Sequence, residues 1–177
     1  MQDTPRPPLD LSERVEFLSQ IFLFRGMSDE TLRAIATVLK ERTVQPGQVI
    51  VQQGDTNINI FFIRSGTCKV IKMVTDGIKP STPRGWARLR ETKAVTVAEM
   101  KRLQYFGELG VLLNTGHTAS VVSGDGPEPV ELYLLSKDDW KAQVPERTRT
   151  KMVNAMISHA QDSYSHTKAL WRSSRLG

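Results

Sequence analysis

Tyr105-Phe106-Gly107-Glu108-Leu109-Gly110-Val111-Leu112-Leu113, followed by Asn114-Thr115-Gly116-His117-Thr118-Ala119-Ser120-Val121-Val122, is the stretch whose reading decides the fold. It reads as a short helix starting at Gly107 and then a turn into a strand. Such a helix directs unpaired backbone N–H groups toward a bound anion, and glycine lets that anion approach the chain closely. Glu108 falls in the first turn, where an acid also stabilises its own helix.

On the N-terminal side of this stretch, short β-rich runs alternate with turn signals at Pro46-Gly47, Gly54-Asp55, Ser65-Gly66 and Asp76-Gly77. Residues 49–53 (VIVQQ), 60–64 (IFFIR) and 68–74 (CKVIKMV) are the expected strands. The IFFI run belongs at the centre of a sheet because it is apolar on both faces. Residues 94–100 (AVTVAEM) follow as a strand, and VELYLL at 130–135 closes the β part. Helices flank it. One begins near Ser12. Another is capped by Ser28 with Asp29 and Glu30 behind it, and Leu32, Ile35, Ala36 and Leu39 recur at helical spacing. Beyond Ser136 the chain turns helical again, breaks at Pro145, and continues as a helix with Met152, Met156, Ala160 and Tyr164 on one face. The expected fold is α+β: an antiparallel, jelly-roll-like β-roll flanked by N-terminal and C-terminal helices.

The stretch at 105–122 resembles the phosphate-binding cassette of the cyclic-nucleotide-binding domain family, whose pattern runs Phe-Gly-Glu-Leu-Ala-Leu, a short spacer, then Pro-Arg-Ala-Ala-Thr-Val. Pro46-Gly47-Gln48-Val49-Ile50, Gln53-Gly54-Asp55 and Phe61-Phe62-Ile63-Arg64-Ser65-Gly66 resemble the family's two glycine turns and intervening strand, in the same order. The resemblance implies a ligand site for cAMP or cGMP made of Phe106, Gly107, Glu108, Leu109, Gly110, His117, Thr118, Ala119 and Ser120. It gives Glu108 the role of accepting a hydrogen bond from the ribose 2′-hydroxyl. Tyr164 or Trp171, on the C-terminal helix, would cap the base.

Several positions depart from the pattern. His117 stands where the family places an arginine that grips the cyclic phosphate, Gly116 replaces its proline, Thr118 its first alanine and Ser120 its threonine. Leu103-Gln104 stand where Gly-Asp usually precede the aromatic. A neutral histidine offers one N–H donor where arginine offers a charged fork. Losing a charged hydrogen bond worth about 1.5 to 3 kcal/mol weakens binding roughly ten- to two-hundred-fold. Two readings follow: a nucleotide-controlled regulatory module that binds weakly, or a module that has lost its ligand and serves as a protein-binding scaffold.

Composition excludes several other classes. The chain of 177 residues has 39% hydrophobic and 24% charged residues, and no apolar run long enough to span a membrane. No secretory-type leader opens it, so an intracellular, cytoplasmic setting is expected. Cys68 is the one cysteine, which rules out an internal disulfide and a thiolate metal cage; a buried strand thiol is its expected role. His117, His159 and His166 are too dispersed for a cupin-type metal site, and no nucleophile–base grouping is present, so no catalysis, metal or cofactor is expected. A helix-turn-helix would need more chain than follows Pro145, so DNA binding is not expected.

Residues 1–10, with Pro5, Pro7 and Pro8, read as an extended lead-in; residues 11–145 form the roll with its helices, and 146–177 a C-terminal helix and tail. Within the roll, residues 75–94 form a basic insertion read as an extended hairpin loop. Its Arg84, Trp86, Arg88 and Arg90 are a candidate patch for an acidic protein partner.

Overall fold

The structure is a computed structural model, and residues 10–56, 58–75, 79–80, 88–89, 92–151 and 153–154 are described here. Helix α1 spans Leu11–Ser19 and α2 spans Asp29–Val38. The sequence placed the first helix start at Ser12, but Asp10 is the cap. Its carboxylate accepts from the Leu11 amide at 2.7 Å, while the Glu13 carboxylate accepts from the Asp10 amide at 3.2 Å, a reciprocal box that fixes the entry. Ser28 caps α2 as its spacing predicts, its hydroxyl accepting from the Thr31 amide at 3.3 Å.

Between these helices and the C-terminal one lie two antiparallel four-stranded sheets. The first runs in the order β1 (Lys40–Val44), β10 (Val130–Ser136), β3 (Asn59–Ser65), β8 (Tyr105–Phe106). The second runs β2 (Val49–Val51), β9 (Ser120–Ser123), β4 (Thr67–Thr75), β7 (Thr92–Lys101). Strand β3 is interior, as its composition demands, and alternation explains why it is apolar on both faces. Ile60 and Phe62 pack toward the helices, against Phe24, Ile35 and Trp140, while Phe61 and Ile63 pack between the sheets with Val51, Cys68 and Phe106.

Some local expectations shift. The run at 49–53 ends as a strand at Val51, because the Gln52 amide turns to donate to the Asp55 carboxylate at 3.2 Å. Strand β1 escapes the sequence reading because only its last residue, Val44, is buried, so no alternation is visible. Strands β4 and β7 pair from Thr67↔Lys101 out to Thr75↔Thr92, and β5 (Lys79–Pro80) pairs with β6 (Arg88–Leu89), so the described part of the basic insertion is a hairpin ladder. Arg88 lies in β6; Arg84, Trp86 and Arg90 lie outside the described residues, as do Tyr164 and Trp171. Helix α4 (Lys137–Gln143) is capped by Ser136, and residues 146–151 are helical again after Pro145. Cys68 is fully buried, which pushes its thiol up to about 11 and keeps it protonated and unreactive at neutral pH. Among the described residues no helix is long and apolar enough to cross a membrane.

Tyr133 sits in this core with its hydroxyl unpartnered among the described residues. Its ring meets Phe17 edge-on at 5.3 Å, with the Arg14 and Arg64 guanidiniums 5.6 and 5.8 Å from its centroid. Burying a hydroxyl without a partner costs about 1 to 3 kcal/mol, whereas the ring contacts survive in phenylalanine. Tyr133→Phe is therefore expected to unfold at equal or higher denaturant concentration than the wild type. A loss of stability in that titration would show that the hydroxyl has a partner.

Candidate ligand cavity

The decisive stretch folds as expected from Gly107 onward. Helix α3 spans Glu108–Leu113, with Gly107 at its N-cap and Asn114 at its C-cap, both left-handed. At six residues α3 is under two turns, so it carries little macrodipole; what it supplies is position. Gly107 has φ of 85°, and a Cβ there would overlap the Asn59 carbonyl oxygen at the start of β3. The glycine is thus required by its own backbone and its neighbour's, before any ligand is considered.

Ahead of it, β8 pairs with β3 in the register Phe61↔Phe106 and Phe62↔Tyr105, and Phe106 stacks on Phe61 with centroids 4.9 Å apart and planes 8° from parallel. Leu103 holds φ of 71° in the turn before β8, the conformation that the resemblance reserves for glycine. A left-handed leucine costs about 1 to 2 kcal/mol. Its side chain packs against the helix-side core, and its amide donates to the Ile63 carbonyl at 3.0 Å, which offsets the strain.

After α3, residues 116–118 are stitched to the Gly54-Asp55 turn. The His117 amide donates to the Asp55 carbonyl at 3.0 Å, and the His117 carbonyl accepts from the Gly54 amide at 2.8 Å. A Cβ on Gly116 would come within 3.2 Å of the Gly54 carbonyl oxygen, so that close crossing favours glycine. The His117 ring is buried, 6.5 Å from Phe61 centroid to centroid.

These elements enclose a cavity of about 200 Å³. Phe106, Gly107, Glu108, Leu109, Gly110, His117, Thr118 and Ala119 all line it. Ser120 does not: its hydroxyl accepts from the Gln53 amide at 2.9 Å, holding the β2 turn to β9. Sequence reasoning missed Val51, Val70, Met100, Tyr105 and Val121, which complete the wall. The inward alternation of the strands was the available signal, but it names a residue only once strand pairing is known. No lysine or arginine lines the cavity among the described residues. Among the described residues no cluster of histidine, cysteine and carboxylate side chains is placed to hold a metal.

Burial pushes the Glu108 carboxyl above the usual carboxylate range, opposed by a hydrogen bond from its own backbone amide. Burial likewise raises the Tyr105 phenol, and the Glu108 charge adds to that rise. A carboxylate whose charge is disfavoured in a cavity wall is a candidate functional position.

Residues 41–146 match the family described as cyclic nucleotide-binding domain. The chain belongs to that family. It is 35% identical over 66 residues to the cAMP-dependent protein kinase type II regulatory subunit of Drosophila melanogaster, covering 37% of this chain and 18% of that protein. It is 27% identical over 141 residues to cGMP-dependent protein kinase, isozyme 1, of the same organism, covering 80% of this chain and 16% of that protein. The chain therefore spans under a fifth of the length of these curated relatives. The regulatory domain of Toxoplasma gondii PKA, solved with cAMP, superposes with a TM-score of 0.66 at 18% identity, covering 86% of this chain and 50% of that one. The family's β-roll, with its cassette helix and flanking helices, is the fold of this domain.

The raised Glu108 pKa has a stability consequence with a definite sign. The wild-type fold carries its full stability below the ordinary carboxylate pKa and loses some as pH rises through the raised value. Glu108→Gln is expected to melt higher than the wild type at pH 7, with the difference vanishing by about pH 3, below the reference value of the group. Equal melting temperatures at both pH values would show that the carboxylate is not disfavoured where it sits.

Proposed function

We propose that this domain is a non-enzymatic regulatory module whose cavity receives the sugar and phosphate of a cyclic nucleotide, cAMP or cGMP, with weak affinity. One observation carries the reading: the residues named by the cassette resemblance, Ser120 excepted, converge on one cavity that holds the half-buried Glu108 carboxyl. In this reading Glu108 accepts the ribose 2′-hydroxyl, and Thr118 and the His117 ring are the side-chain donors toward the phosphate. With about 200 Å³ against the roughly 300 to 1,000 Å³ usual for ligand pockets, the cavity takes the sugar–phosphate and leaves the base at its mouth. Occupancy would be passed to the helices after Ser136, and through them to a protein partner in an intracellular assembly.

The lining also favours a second reading, because among the described residues it offers the phosphate no permanent cation. In that reading the fold persists as a scaffold that binds protein alone, without nucleotide, DNA or membrane span.

Calorimetric titration with cAMP, cGMP and uncharged adenosine separates the two. A bound phosphate favours the imidazolium form of His117, so cyclic-nucleotide affinity is expected to rise as pH falls from about 8 to 6. His117→Ala is expected to abolish that dependence, and adenosine to show none. Binding that ignores both pH and His117→Ala removes the histidine from the phosphate contact. Absence of binding for all three ligands at millimolar concentration, with the fold intact, decides for the scaffold.

A further inference from the structure

The cavity wall suits hydroxyl groups better than it suits an anion. A cyclic nucleotide brings a permanent negative charge, and burying a charge is costly unless an opposite charge or several hydrogen-bond donors meet it. Among the described residues the wall supplies neither a lysine nor an arginine, and its one carboxylate, Glu108, has the same sign as the phosphate. Much of the wall is apolar as well: Val51, Val70, Met100, Phe106 and Val121 face the same space and give an ion nothing in place of its hydration. Helix α3, at six residues, adds too little dipole to make up the difference.

The polar groups that do line the cavity match a different partner. A phosphate oxygen only accepts hydrogen bonds, whereas a hydroxyl both donates and accepts. Thr118 and Tyr105 bring hydroxyls of their own to the lining. Glu108 brings a carboxylate with about four lone-pair sites, only one of them engaged by its own backbone amide. In an uncharged ribonucleoside the 2′ and 3′ hydroxyls are neighbours and both are free, so one carboxylate can accept from the pair. In a 3′,5′-cyclic nucleotide the 3′ oxygen is esterified, and only the 2′ hydroxyl is left to donate. Relative to the cyclic nucleotide, a nucleoside therefore gains a donor to Glu108 and loses a like charge beside it.

We infer that the ligand this cavity holds most tightly is an uncharged ribonucleoside, with its 2′ and 3′ hydroxyls on Glu108, its 5′ hydroxyl toward Thr118 and its base at the mouth. The inference rests on the reading of Glu108 as the acceptor for ribose, and it deepens that reading by naming the ligand class. It also gives the buried His117 a role in selectivity: a histidine in place of arginine turns the site away from phosphate and leaves the sugar contact intact.

The test is calorimetric titration of the full chain at pH 8 with adenosine, guanosine, their 3′,5′-cyclic monophosphates and ribose. The tighter nucleoside is expected to bind at least about tenfold tighter than its own cyclic monophosphate, a difference of about 1.4 kcal/mol, and its 2′-deoxy and 3′-deoxy analogues each to lose about as much. Glu108→Gln removes the charge and one acceptor oxygen, so it should weaken the nucleoside while the cyclic monophosphate binds equally well or better. His117→Arg supplies the missing cation and should reverse the order of the two. A cyclic monophosphate that binds as tightly as its nucleoside, or tighter, overturns this inference alone and leaves the cyclic-nucleotide reading standing. Ribose or a deoxy analogue that matches the nucleoside overturns the pairing of both hydroxyls and base that defines the ligand class. Silence toward every ligand, with the fold intact, overturns both readings together.

Discussion

The left-handed backbone of Gly107, pressed against the carbonyl of Asn59, is the constraint on which the rest of the site depends. Asn59 opens β3, the strand that carries the core on both its faces, so this contact ties the cassette helix to both halves of the core. From that anchor the chain direction into α3 is fixed, and Phe106 is placed on Phe61. The His117 ring is then brought beside Phe61 by the crossing of residues 116–118 over the Gly54-Asp55 turn. A short helix with little dipole becomes a cavity wall because its neighbours allow it only one position.

The same geometry separates what this domain shares with its family from what it lacks. Glu108 stands in the wall, where burial disfavours its charge. The arginine is absent, and its place is taken by a buried histidine whose main chain is committed to the Gly54-Asp55 turn. The cavity wall therefore carries the acid of the family's cassette pattern and a histidine at the position of its arginine. Leu103 adds a second departure, a strained leucine where a glycine would sit at ease, held by its core packing.

Much of this was legible in the residues. Ser28 announced its helix because a hydroxyl before two acids has one good use, and the IFFI run announced a central strand because only a strand between two layers tolerates apolar residues in succession. Gly107 through Gly110 and His117 through Ala119 were legible through a motif whose spacing is set by backbone. Strand pairing was not, since register is decided by contacts far apart in sequence; hence Val51, Val70, Met100 and Val121 became part of the wall only when the sheets were seen. The partner of the Ser120 hydroxyl was hidden for a related reason: the Gln53 amide that donates to it lies 67 positions away.

Close approach at Gly107, and not its backbone angle alone, holds the cavity wall. Denaturant unfolding of Gly107→Ala beside Gly47→Ala tests it directly, because Gly47 has a similar φ of 75° but open space around its Cα. Both variants carry the left-handed penalty of about 1 to 2 kcal/mol, and Gly107→Ala is expected to lose substantially more than that. Equal losses in the two variants would contradict the account.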